Sequence, residues 1–188
     1  IDFFNKNIIN INKIIWKLKK IEIFSENLKD EKLINFKTGN DQLFSILKNH
    51  KLYKFLEKDL SKNKFFKSKF YNKRNFSSLG KYELIINCDP SNFITMKYFS
   101  NKIVKKYHSK AHTTIIKHDQ ILNDTAVQIF TKKGPLAFLP ISNRETSIVY
   151  SIYNTNNHKD ENIEQLMREK NFKYKIKNIE KINSFKLK

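Results

Sequence analysis

Backbone punctuation is scarce in this sequence and unevenly placed. The 188 residues carry three glycines and three prolines, and one glycine and two prolines fall within Gly134–Pro140, "GPLAFLP". Glycine supplies backbone conformations closed to other residues, and proline fixes φ and removes an N–H. Gly134 and Pro135 therefore turn the chain into a short apolar strand and Pro140 stops it, which holds Leu136, Ala137, Phe138 and Leu139 as a short, stiff wall.

The surrounding sequence reads as sheet. Extended runs cover His112–Lys117, Ala126–Phe130 and Ile148–Tyr153, and "GPLAFLPIS" lies between the last two, so this half predicts a largely antiparallel sheet. A short helix follows over Glu161–Lys170, then an alternating tail. Upstream, Ile8, Ile9, Ile11, Ile14, Ile15 and Leu18 recur at helical spacing and predict a helix over Asn5–Lys20. Ile21–Phe24 and Leu33–Phe36 then read as a hairpin. Leu43–Leu47 reads as a strand feeding a helix striped by Leu52, Phe55, Leu56 and Leu60, with Asn49 as its cap. Lys62–Gly80 reads as a strand-like segment plus loop. A second abrupt strand, Leu84–Asn87, is stopped by Cys88-Asp89-Pro90 before another helix start. No repeat and no Pro- or Gly-rich linker marks a boundary.

Composition places the chain among globular proteins, 39% hydrophobic and 13% aromatic. Its formal charge of +19 fits a nucleic-acid, anionic-lipid or acidic partner, and equally fits the joint enrichment of Lys, Asn and Ile that an AT-rich coding sequence produces. The lone Cys88 excludes an internal disulfide and suits a reducing compartment. No apolar run approaches the ~18 residues of a membrane span. Ile1-Asp2-Phe3-Phe4 is neither a start methionine nor a charged leader, so the chain is expected to begin inside a longer reading frame.

Local motifs offer little chemistry. His108 and His112 stand four apart, a metal-ligand spacing on a helix, but the β-branched residues after them predict a strand, where the two would lie about 13 Å apart. The basic-aromatic run Lys62–Phe76 could stack bases on Phe65, Phe66, Phe70 and Tyr71, or form an alternating strand with a solvated lysine edge. No nucleic-acid partner, no metal and no catalytic acid or base is expected.

One longer pattern is more specific. Ala126, Gln128, Phe130, Gly134, Pro135, Ala137, Phe138, Leu139, Pro140, Ile141, Ser147, Val149 and Ser151 fit A-x-Q-x-F, G-P-x-A-[FL]-L-P-[LI] and S-[IL]-V-W-S, with Tyr150 in place of the Trp. In this, Thr125–Ile152 resembles the middle of the FAD-dependent aromatic-ring hydroxylases of ubiquinone biosynthesis, the 2-polyprenyl-6-methoxyphenol hydroxylase type of class A flavoprotein monooxygenase. "SILKNHKLYKFL" is similar to that family's strand-to-helix step, with Asn49 and Leu52 in its positions. Asn87-Cys88-Asp89-Pro90 stands where the family has G-A-D-G, keeping the acid and losing both glycines.

The resemblance implies a mixed α/β fold, with a substrate-domain sheet over 1–45 and 98–188 and a remnant of the FAD-binding domain over 46–97. It implies that Asn49 and Asp89 lie near FAD, and that Gln128, Phe130, Pro135, Leu136 and Phe138 line the substrate cavity. It further implies hydroxylation of a polyprenylated phenol with NAD(P)H and O2, and a cytoplasmic enzyme, peripheral on the inner membrane and associated with a ubiquinone-biosynthesis complex. The family's G-x-G-x-x-G and G-D motifs would lie upstream of Ile1 and beyond Lys188, so this segment alone is expected not to retain FAD. A basic module binding nucleic acid or an anionic membrane, or a non-catalytic relative, are the other readings.

Overall fold

The computed structural model describes residues 1–28, 31–37, 39, 42–69, 82–99, 105, 107–153 and 162–187. The chain is mixed α/β, with one large sheet and few helices, and divides into two units, Ile1–Glu57 with Lys106–Lys188, and Lys58–Lys105.

The first unit opens with α1 (Asp2–Asn7), which asparagine side chains cut short. Asn7 Nδ2 donates to the Phe3 carbonyl at 2.9 Å, and the Ile11 amide donates to Asn5 Oδ1 at 2.9 Å. Such bonds offer the backbone an alternative to the helix. The chain continues as β1 (Ile15–Leu18) and β2 (Lys20–Ser25), so the helix expected over Asn5–Lys20 is corrected. Ile15 is β-branched and Leu18 is fully buried, and strand pairing overrides the helical spacing.

The expected hairpin forms: β2 pairs antiparallel with β3 (Lys32–Lys37), Ile21 opposite Phe36 and Ile23 opposite Ile34. β4 (Phe44–Leu47) pairs with β1 in a separate two-stranded ribbon and runs almost directly into α2 (Asn49–Leu60), the predicted strand-to-helix step. Asn49 is not the cap. The Lys48 carbonyl accepts from the amides of Lys51 and Leu52 at 2.9 and 3.2 Å, which makes Lys48 the boundary and Asn49 the exposed first helical residue.

In the second unit, Lys62–Lys69 has no strand, and the remainder of the basic-aromatic run lies outside the described residues. The strand expected over Leu84–Asn87 is also corrected. Leu84 and Ile86 are 76% and 78% exposed and pair with no strand among the described residues. The polar groups that follow favour a turn: Asn87 Nδ2 donates to Thr95 Oγ1 at 2.6 Å and Asn92 Nδ2 to Asn87 Oδ1 at 2.7 Å. Asn92 then caps α3 (Phe93–Tyr98), accepting the Thr95 amide at 3.1 Å.

The rest of the first unit builds the sheet, from β5 (Ser109–His118), β6 (Thr125–Thr131), β7 (Gly134–Pro140) and β8 (Glu145–Tyr153). After them come α4 (Ile163–Glu169), capped by Asn162, β9 (Ile176–Ile179) and β10 (Asn183–Lys186). The strand order is β10-β5-β8-β7-β6-β2-β3, with β9 also on β5. Every pairing is antiparallel except β2 with β6, which is parallel. One face carries the core: Phe24, Ile116, Val127, Ile129, Leu136, Phe138, Ile148 and Tyr150, against which Met167 of α4 and Tyr174 pack. Each such side chain contributes roughly 1.5–3 kcal/mol by leaving water.

Glu26 ties three parts of this unit together. Its Oε1 accepts from Lys170 Nζ at 2.6 Å and its Oε2 from the Lys132 amide at 2.8 Å. The Lys170 hydrogen bond first, then the Lys132 amide, holds its carboxyl below the ordinary 4.5. Because the folded state binds this proton less readily, the contribution is present above pH ~4.5 and is lost as pH falls through the folded value. Glu26→Gln should cost about 1 kcal/mol at neutral pH, and its melting curve should approach that of the wild type as pH falls well below the ordinary carboxylate range.

Candidate functional site

Strand alternation decides which residues of "GPLAFLP" can share a surface. Leu136 and Phe138 face the core, 0% and 2% exposed, opposite Tyr150 and Ile148 of β8 and Ile129 and Val127 of β6. Pro135, Ala137 and Leu139 face the other side, opposite Phe130, Gln128 and, on β8, Val149 and Ser147. Of the four side chains of the expected wall, Leu136 and Phe138 therefore point into the core and Ala137 and Leu139 to the opposite face. Gln128, Phe130 and Pro135 come together on the second face, Gln128 flanked by Ala137 of β7 and Ile23 of β2.

This second face is apolar and half-buried. Ile115, Val149, Ala137 and Leu139 run across the adjacent strands β5, β8 and β7, Ile23 lies on β2 beyond β6, and Phe130 of β6 is 46% exposed at the margin. The Gln128 side chain makes no hydrogen bond with the described residues. A flat apolar surface with an unpaired amide at its centre can hold an aromatic ring and meet one polar substituent on it.

Punctuation holds this surface in place. The turn into β7 is made by Lys132 and Lys133, and Gly134 is the first strand residue, at φ +139°. A Cβ there would stand 2.0 Å from the Ser151 carbonyl oxygen of β8. The two prolines occupy the ends of β7, where a missing N–H does least harm to a central strand.

Asn49 and Asp89 lie in different units, Asn49 exposed at the start of α2. The Asp89 carboxylate is occupied locally: Oδ1 accepts the Ser91 hydroxyl at 2.6 Å and the Ser91 amide at 2.8 Å, bonds that hold its carboxyl below the ordinary range. Its carbonyl accepts Thr95 Oγ1 at 2.8 Å, and Pro90 offers no N–H. Of the described glycines, Gly39 adjoins open space and the room beside Gly134 is filled by Ser151. No buried side-chain donor or acceptor among the described residues lacks a partner.

A second constellation, not anticipated from sequence, is a buried polar network at the end of the sheet. Asn123, fully buried, donates through Nδ2 to Thr146 Oγ1 at 2.9 Å and to the Ser142 carbonyl at 2.8 Å, and accepts the Tyr174 hydroxyl at 3.1 Å. His118 bridges the Asp119 carbonyl and Thr146 Oγ1 at 2.8 and 3.0 Å, and its ring lies 4.6 Å from that of Tyr174 at a tilt of 39°; burial pushes the Tyr174 phenol up to about 12. The Trp16 indole donates to the Asn123 carbonyl at 2.7 Å, joining the β1–β4 ribbon to the network. Being closed and fully paired, it fixes loops rather than substrate. Its one sequence signal is the polar run "HDQILNDT" between two strands. Asn123→Ala leaves several buried groups unpaired and should cost about 2–3 kcal/mol, measurable by urea unfolding with an unchanged denaturant slope.

His108 precedes β5 at φ +50° and His112 lies on that strand, its Nδ1 2.8 Å from Ser184 Oγ. Among the described residues no group of three or more His, Cys, Asp or Glu could hold a metal, and no helix is long and apolar enough to cross a membrane. Compared with known proteins, the chain matches no family model and no curated protein.

Proposed function

We propose that this chain supplies the substrate-holding sheet of an FAD-dependent aromatic-ring hydroxylase that acts on a polyprenylated phenol in ubiquinone biosynthesis, with NAD(P)H and O2 as co-substrates. The observation that carries the reading is the second face of the sheet: an apolar surface around the unpaired Gln128 amide, formed by the strands that bear the family-like pattern. In this role the phenol ring lies on Ala137 and Leu139, its hydroxyl meets Gln128, and the prenyl chain leaves across Ile23 and Phe130. The excess of positive charge suits an enzyme that meets its lipid-soluble substrate at an anionic membrane surface. In this role the described residues hold and orient the phenol and keep water from its ring, and Asn49 and Asp89 are the residues that the resemblance places near FAD.

Calorimetric titration of the chain with a short-chain prenylated phenol tests this directly. Saturable binding is expected, weakened roughly five- to tenfold by Gln128→Ala and by Phe130→Ala, with little change in melting temperature because neither residue is core. Absence of saturable binding, or binding indifferent to both substitutions, overturns the assignment.

A further inference from the structure

A cavity of about 160 Å³ lies at the step from β4 into α2. Trp16 of β1, Ile46 of β4 and Ile141 after β7 line it together with Lys13, Lys48 and Lys51, and its exposed lining is more polar than apolar. No carboxylate is among its lining residues. Lys48 is pinned from one side by Glu145, Nζ to Oε2 at 2.8 Å, with both side chains less than a third exposed. That bond first, then the charges of Lys48, Lys117 and Lys51, holds the Glu145 carboxyl ionised below its ordinary range. Lys13 and Lys51 pair with no carboxylate among the described residues.

Three lysines line this one small cavity and the carboxylate bonded to one of them is Glu145, so a bound anion would balance the remaining positive charge. The volume is below the roughly 300–1,000 Å³ of pockets for drug-sized ligands, which leaves room for a phosphate and a few carbons and far too little for a dinucleotide. We propose that this cavity binds a phosphate group carrying a short apolar substituent, the phosphate between Lys13, Lys48 and Lys51 and the substituent against Trp16, Ile46 and Ile141. The site is separate from the sheet face that holds the phenol and does not depend on that reading.

Trp16 is the only tryptophan of the chain, so its emission reports on the cavity. The test titrates inorganic phosphate, butyl phosphate, and phosphatidylcholine vesicles with and without phosphatidic acid, all at constant ionic strength. A saturable change is expected with butyl phosphate at lower concentration than with inorganic phosphate. Lys13→Gln and Lys51→Gln, both at exposed positions, should each weaken it about tenfold with melting unchanged, whereas Lys67→Gln should leave it alone. A response to phosphatidic acid vesicles that butyl phosphate competes away assigns the phosphate to a lipid headgroup, and a response to butyl phosphate alone assigns it to a free ester. No saturable change with any probe, an equal change with chloride, or indifference to Lys13 and Lys51 overturns the proposal.

Discussion

Gly134→Ala should prevent the sheet from assembling in its present register. An added Cβ would lie 2.0 Å from the Ser151 carbonyl oxygen and 3.1 Å from its carbon, both backbone atoms of the adjacent strand. Neither can swing aside as the end of a flexible side chain could. The backbone at φ +139° is in addition strained for any residue with a Cβ. Relief requires β7 to move away from β8, which breaks the pairing of Leu136 with Tyr150 and of Phe138 with Ile148 at the centre of the core. The expected loss exceeds about 4 kcal/mol, the range reserved for named structural catastrophes. Circular dichroism and urea unfolding of Gly134→Ala beside Gly39→Ala make the comparison, since Gly39 also has a positive φ, +27°, but a Cβ there would meet nothing within 4 Å, so the difference between the two isolates the clash. Similar midpoints for the two variants would show that β7 and β8 can part without harm.

Phe138→Ala should be nearly as damaging, and for a different reason. Its ring lies 5.9 Å from that of Tyr174, stacked at 30°, and is 2% exposed. Truncating a buried aromatic typically costs about 3–5 kcal/mol. For a chain of this size that is a fall in Tm of roughly 6–20 °C. Phenol affinity should be unchanged in the fraction that remains folded, because the ring is on the side of the sheet away from Gln128. A variant that melts like the wild type but loses phenol binding would return Phe138 to the substrate wall and undo the assignment of faces.

The comparison of Phe138 with Phe130 shows what was legible in the sequence. The runs His112–Lys117, Ala126–Phe130 and Ile148–Tyr153 read correctly as antiparallel strands because they are short, rich in β-branched and aromatic residues, and separated by turn residues. Strand alternation already separates Leu136 and Phe138 from Ala137 and Leu139, but "GPLAFLP" is apolar at every position, so alternation could not say which set faces the core. That depends on Tyr174 and Met167, far along the chain. Asn5–Lys20 failed for a related reason. Its isoleucines satisfy helical spacing, while the decisive facts were two asparagine side chains that capture backbone groups and a partner strand at Phe44–Leu47. Leu84–Asn87 has strand composition but no neighbour to pair with among the described residues. The polar network draws on residues 16, 118, 123, 146 and 174, which no local window contains.

The parallel contact of β2 with β6 bears on how the protein is made. Lys20 meets Thr125 and Ser25 meets Phe130, so the hairpin of β2 and β3 emerges from the ribosome long before the strand it must lie beside. During that interval Ile21, Ile23, Ile34 and Phe36 are exposed to whatever else is present. Joining partners so distant in sequence requires closing a long loop before any contact rewards it, which makes such a step slow and leaves an open strand edge exposed to aggregation. β6, β7 and β8, by contrast, follow one another through short turns and can pair as soon as they are synthesised. Synthesis should therefore pass through a stage in which a preformed meander captures a waiting hairpin, and chaperone dependence should be greatest for nascent chains that end before Thr131.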